Sequence, residues 1–267
     1  MKTSRLKSIV IVILLLVNLF LLILLFSRRA EEQAARERSV EQLVTLFESN
    51  GVSLDPSVLP AESGILSAAL GRDAARETDF AAALLGDEVS VSDSGGGVCL
   101  YTGGSGRCSI RAGGAVEAAL SRPLDDPDAF CRDLFRTFGY ERTLSQLSAD
   151  GSGSISGVRS AGAHPVFNAS LTLSFSGGTL TAVSGVFLST LTEGRRAEGI
   201  DAVTALVHFL DYRSASGIVC TQVCAVDSGY LLQSSAAVPL RLLPVWRVTT
   251  DVNGFYVNSK TGEITRE

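Results

Sequence analysis

The chain is 267 residues long and poor in the side chains that most often do chemistry. It has two histidines, His164 and His208, too few for a histidine-based zinc site, and it has no Cys-x-x-Cys pair. No Gly-x-Ser-x-Gly elbow occurs; in Gly153-Ser154-Ile155-Ser156-Gly157 an isoleucine stands where the nucleophile would be. The glycine clusters at 95–97 and 103–106 lack both the Lys-Ser/Thr of a phosphate loop and GxGxxG spacing, so they read as turns. Asp125, Asp126 and Asp128 surround Pro127, which explains them as helix-capping and dipole residues. Lysine is scarce: after Lys7 only Lys260 remains. All 28 acidic residues and 20 of the 23 basic ones lie beyond residue 26, a net charge of −8 there. That sign argues against nucleic acid and against a polybasic hold on anionic lipid. No catalytic, cofactor-binding or metal-binding residue set can be assembled, so the expectation is a non-enzyme without an identifiable small-molecule substrate.

What the chain does have is one uninterrupted apolar run. Ser8–Phe26 holds seventeen apolar residues, one serine and one asparagine, with no charge. As a helix it would reach about 28 Å, close to one hydrocarbon core. At about −0.3 to −0.6 kcal/mol per apolar residue, insertion is favourable by roughly 5 to 10 kcal/mol, which one amide does not overturn. The run is too long for the apolar part of a signal peptide, and Ser27-Arg28-Arg29 follows it in place of a small-x-small cleavage site. The expectation is an uncleaved single-pass membrane anchor. The first residues carry Lys2, Arg5 and Lys7 with no acid, whereas Glu31, Glu32, Glu37 and Glu41 dilute the arginines of the other flank. This predicts a cytoplasmic N-terminus and an extracellular bulk. Asn18 is the polar exception inside the run. It is either a tolerated lipid-facing amide or a contact to another membrane helix, worth about 0.6–2 kcal/mol.

Beyond the anchor (1–29), a stalk and link span 30–60. Val40, Leu43, Val44 and Phe47 fall at helical spacing, and the helix is expected to stop near Asn50-Gly51. A small α+β meander is expected over 61–122, with a helix at Asp73–Leu85 and strands at Glu88–Ser92, Val98–Thr102 and Arg107–Arg111. From 123 the pattern runs twice, as unit one (123–195) and unit two (196–267). Unit one opens with Asp126 as N-cap and Pro127 at the first helical position, and its helix stripe is Phe130, Leu134, Phe135 and Phe138. Strands Thr143–Ser148 and Ser154–Ser160 follow. A further strand then has Leu171, Leu173 and Phe175 alternating with Ser170, Thr172 and Ser174. Unit two repeats the order: a helix Ile200–Tyr212 with stripe Val203, Leu206, Val207 and Leu210, then a hairpin turning at Asp227-Ser228-Gly229. The matched positions are Pro165-Val166-Phe167 with Pro244-Val245-Trp246, Gly178 with Gly254, and Gly185 with Gly262. The fold class is α+β: an N-terminal transmembrane helix and helical stalk, then two helix-on-antiparallel-sheet units.

The five cysteines allow two readings. Cys99, Cys108, Cys131, Cys220 and Cys224 are small buried hydrophobes, or, in an exported domain, Cys99 and Cys108 close a disulfide across the glycine-rich turn between them. Cys220 and Cys224 are about 13 Å apart if extended, too far to bridge without a bend. Trp246 and Tyr256 are core or cross-strand aromatics, or else line a ligand groove between the two units.

The closing stretch LLPVWRVTTDVNGFYVNSKTGEI, with Trp246, Tyr256 and the Thr261-Gly262-Glu263 turn, resembles the last hairpin of PepSY-type domains. Together with the basic-flanked anchor containing Asn18, the charged stalk and the two units, the chain resembles the YycH/YycI regulators of Gram-positive bacteria, the YycI member more closely. The resemblance implies association with a YycH-like anchored partner and with a WalK-type sensor histidine kinase of a two-component system controlling cell-wall metabolism. The alternative it leaves open is a PepSY-like extracellular module that binds or inhibits a cell-envelope peptidase.

Overall fold

The computed structural model describes residues 2–60, 64–86, 88–196, 199–235 and 238–267. Helix α1 (Lys2–Ser49) carries the apolar run and the stalk as one unbroken rod of 48 residues. It ends where Gly51 takes φ +73°. The Val52 amide donates to the Phe47 carbonyl and the Gly51 amide to the Glu48 carbonyl, both at 3.0 Å. This double bond pattern with a left-handed glycine stops a helix abruptly, at the Asn50-Gly51 position the sequence indicates. Among the described side chains of α1 the buried ones lie in its last turns: Leu43 and Phe47 are buried, with Val44 packed beside them.

The chain then runs through β1 (Ser53–Leu54), a short 3-10 turn at Pro56–Val58, β2 (Leu66–Gly71), α2 (Ala74–Leu85), β3 (Ser90–Asp93), β4 (Val98–Gly103), β5 (Gly106–Arg111) and β6 (Ala115–Pro123). Next come α3 (Pro127–Phe138), β7 (Tyr140–Leu147), β8 (Gly153–Ala161), β9 (His164–Ser176), β10 (Thr179–Val186) and β11 (Thr190–Arg196). The last part is α4 (Ala202–Ser216), β12 (Gln222–Ser235), β13 (Val238–Thr250), β14 (Gly254–Asn258) and β15 (Ile264–Arg266). The architecture is α+β and mostly sheet. Thirteen strands join in one sheet, ordered β15-β14-β13-β12-β9-β10-β6-β5-β4-β3, with β8 and then β7 branching from β9 and β1 pairing β12; β2 and β11 form a separate antiparallel pair.

Unit one contains α3 followed by five strands, β7 to β11, and unit two contains α4 followed by four, β12 to β15, and the detailed correspondence differs from the sequence expectation. No turn forms at Asp227-Ser228-Gly229; β12 passes straight through, pairing Asp227, Ser228 and Gly229 with Arg247, Trp246 and Val245. Gly229 is there because β9 runs close beside it, with Val166 paired in parallel to Tyr230. A Cβ at that position would lie 2.5 Å from the Pro165 carbonyl and 2.6 Å from the Phe167 ring. Pro165 is the second residue of β9, whereas Pro244 sits in the middle of β13, so the two Pro-Val-aromatic triplets are not equivalent. Gly185 lies within β10 and Gly262 in the turn after β14, so that pair does not correspond either. The 61–122 meander is not a separate body: β6 pairs β10 from Ala115 to Pro123 and fuses it to unit one.

Two cores result. The first packs α2 (Phe80, Leu84) and α3 (Leu134, Phe135, Phe138) on the inner faces of β4–β6 and β8–β10. Leu171, Leu173 and Phe175 point inward there, and the serines and threonine between them point out. The second core packs α4 and the end of α1 on β12–β14. Helix α4 presents Ala205, Leu206, Phe209 and Leu210 to it, while Val207 is exposed. The buried stripe is therefore rotated by about one residue from the expected one, because the small Ala202 and Ala205 allow close approach to the sheet.

Among the described residues no helix is long and apolar enough to cross a membrane. The run Ser8–Phe26 has described side chains only from Leu14 onward. Within Leu14–Phe26 every large apolar side chain is exposed, from 46% to 65%, whatever its direction around the helix.

Candidate functional site

Two places stand out once the fold is laid down. The first is the exposed apolar stretch of α1. Asn18 lies within it, and its side-chain amide donates to the Leu14 carbonyl at 3.0 Å, one turn back. One of its two donor hydrogens is thereby used inside the helix, and the side chain remains exposed.

The second is an ion pair at the head of α2 in which the carboxylate is buried and the guanidinium is partly exposed. Asp73 caps the helix, its carboxylate accepting from the Ala75 and Arg76 amides, while its own amide donates to Ser189 Oγ at 2.9 Å. That fixes the first turn, and Glu77 is drawn into the core, 3% exposed. Arg72 approaches it as a fork: Nε to Oε1 at 2.8 Å and Nη2 to Oε2 at 3.0 Å. The Tyr101 hydroxyl donates to Oε2 at 3.1 Å. The Glu77 hydrogen bond holds the guanidinium firmly protonated. Burial, reinforced by the Glu77 carboxylate, pushes the Tyr101 phenol well above its ordinary range. Arg72 Nη2 also lies 3.2 Å from Cys99 Sγ. Beside this cluster opens a cavity of about 150 Å³ between the end of β2, the head of α2, the turn from β5 to β6, the link that follows β10 and the start of β13. Sequence reasoning missed it, since Arg72 and Glu77 are five residues apart on either side of a helix cap and β2, β6 and β11 carry no strong period-two pattern.

The other singled-out residues disperse. All five cysteines are free. Cys99 faces Ile110 and Cys108 faces Tyr101 across β4 and β5, so the two sulfurs belong to different cross-strand pairs and form no disulfide. Burial raises the Cys108 and Cys131 thiols to about 12. Cys220 is buried and Cys224 exposed. His164 is buried at the start of β9 with Nδ1 3.0 Å from Ser228 Oγ; His208 is on the exposed side of α4 over the Gly262 turn. Asp126 caps α3 through the Ala129 amide, and Asp128 pairs with Arg142 at 2.7 Å. Among the described residues no group of three or more His, Cys, Asp or Glu is placed to hold a metal ion.

Trp246 is fully buried beneath α4 and donates from its indole nitrogen to the Ile200 carbonyl at 3.0 Å. Tyr256 faces the opposite side of the sheet, its ring 5.5 Å from Phe167 and its hydroxyl donating to Glu267 at 2.7 Å. Arg247 covers Phe167 at 4.7 Å and pairs with Asp227 at 2.9 Å. The two aromatics therefore line no common groove.

No protein-family profile and no curated relative matches the sequence. Solved structures similar to it include an uncharacterized protein from Eubacterium rectale ATCC 33656, at 10% identity and TM-score 0.47, covering 81% of this chain and 90% of that one. They also include the Bacillus megaterium YpeB C-terminal domain, at 11% identity and TM-score 0.38, covering 74% of this chain and 99% of that one.

Proposed function

We propose that the protein is a non-enzymatic, membrane-anchored regulator whose apolar helix lies in the lipid bilayer and whose globular part lies outside the cell. In this reading it acts as a PepSY-like member of the YycI type, biasing a sensor histidine kinase through helix–helix contact together with a second anchored protein. The observation that carries the reading is the exposed stretch Leu14–Phe26, apolar around the helix apart from Asn18 and covered by no other described residue. A helix of that kind is stable in lipid or inside a much larger protein, and not in water. Its unbroken continuation to Leu43 and Phe47 gives the globular part a rigid lever on the anchor. A helix packed on a sensor needs to shift a two-state equilibrium by only about 1–3 kcal/mol to change output several-fold or more.

Replacing Asn18 by leucine removes the amide and leaves the anchor more apolar. Association with partner membrane helices should then fall by about 0.6–2 kcal/mol, a few-fold to about thirty-fold. Site-specific crosslinking between anchor and kinase at matched abundance measures this. Association that survives exchange of the whole 8–26 segment for polyleucine would refute the anchor mechanism. An alkaline phosphatase fused after Glu267 should be active, and an inactive one would reverse the orientation.

A further inference from the structure

The cavity beside the Arg72–Glu77 pair has a polar and an apolar wall. Leu70, Phe187, Leu188 and Leu240 supply the apolar side; Arg72, Glu77 and Arg111 supply the charge. Glu77 already accepts three hydrogen bonds: both its oxygens accept from Arg72, and one also from Tyr101. In Arg72 the Nε and Nη2 are used, while Nη1 makes only a long 3.4 Å contact to the Gly97 carbonyl. Arg111 has no ion-pair partner among the described residues. The three charged groups thus leave the cavity with one net positive charge and spare guanidinium donors, next to a wall of leucine and phenylalanine. At about 150 Å³ it holds the equivalent of about five waters, room for a small molecule and not for a peptide.

We propose that this cavity binds a short-chain monocarboxylate, its carboxylate held by Arg72 Nη1 and Arg111 and its hydrocarbon tail against the apolar wall. Guanidinium suits a planar carboxylate, and the resulting bonds are charge-assisted. Arg72 is preorganised because Glu77 fixes its orientation before any ligand arrives. The site sits where β2, α2, the link after β10 and β13 converge, and with Leu188 from one core and Phe187 from the other in its wall an occupant would touch elements of both. Nothing in this depends on what the anchor contacts.

The test is leucine-methyl NMR on the full chain in phosphatidylcholine nanodiscs, titrated with sodium butyrate. The methyls of Leu70, Leu188 and Leu240 should shift saturably with butyrate, and neither 1-butanol nor sodium chloride at equal concentration should reproduce the effect. Arg111→Gln should weaken binding at least fivefold with the remaining methyl spectrum retained, and Arg111→Lys should restore part of it. Absence of saturable shifts, an equal response to 1-butanol, or unchanged binding in Arg111→Gln would each overturn the assignment.

Discussion

Glu77 shows how one buried charge is made tolerable. A carboxylate at 3% exposure would be costly alone, and three hydrogen bonds from two side chains replace its water. The bonds stabilise the pair only while both partners are present. Arg72→Ala strips two of the three and leaves the charge buried, so urea unfolding should show a loss of about 3 kcal/mol. The double variant Arg72→Leu, Glu77→Leu should lie closer to the parent, because no unpaired charge remains. A double variant as unstable as Arg72→Ala would mean that packing, not charge, governs the site. Ile200 shows a related economy at the other core. Pro244 has no amide hydrogen to offer Ser259, so the Ser259 carbonyl accepts from Ile200 at 2.7 Å. The Ile200 carbonyl in turn receives the Trp246 indole. A proline inside a strand, normally a defect, here frees the acceptor that docks the approach to α4.

Elements with a local signal were legible and those held by distant partners were not. Helices α2 and α3 start at Asp73 and Asp126, where the side chains cap them, and α3 ends at Gly139 in the left-handed region. The β3–β4–β5 meander is bounded by glycine turns, and period two marked the middle of β9. Strand β6 went unread because Ala115–Pro123 has alanines on both faces, and it is held between β5, which precedes it, and β10 some sixty residues later. The turn read at Asp227-Ser228-Gly229 failed for the same reason: Gly229 answers to the close approach of β9, which no local rule reports. The stalk was the clearest element, and its coupling to the core can be broken in two ways. Phe47 is fully buried, so Phe47→Ala should cost about 3–5 kcal/mol in thermal or urea unfolding. Ala35→Pro lies before the buried part of α1 and should kink the helix at a cost of about 3 kcal/mol to helix formation. The core transition should stay within about 0.5 kcal/mol of the parent. Spin-label distances from residue 26 to the sheet should broaden in Ala35→Pro, and unchanged distances would show that the lever is not rigid.

At the scale of the whole molecule, the segments on either side of residue 123 share one sheet and one core. The first core draws Phe80, Leu84, Tyr101, Ile110 and Val116 from before residue 123 and Leu134, Phe135, Leu171 and Phe187 from after it. The boundary at 122/123 falls at the end of β6, whose whole length from Ala115 to Pro123 is paired with β10 on the other side of that boundary. The second core likewise needs Leu43, Phe47, Val52 and Leu54 from the stalk and link, with β1 pairing β12 in parallel at Ser53–Gln222 and Leu54–Val223. A domain must bury its own apolar faces to fold alone. A fragment of residues 123–195 keeps α3 but exposes the face that α2 and β4–β6 cover. It should show no cooperative thermal transition and should bind a hydrophobic dye such as ANS. A fragment of residues 64–196 retains every side chain of the first core and should unfold cooperatively by calorimetry. If 123–195 alone melts cooperatively, the duplicated pattern marks an autonomous folding unit and the shared core is secondary. If 64–196 fails as well, the Tyr230–Val166 bridge between β12 and β9 matters more than its single residue pair suggests, and the two halves fold only as one.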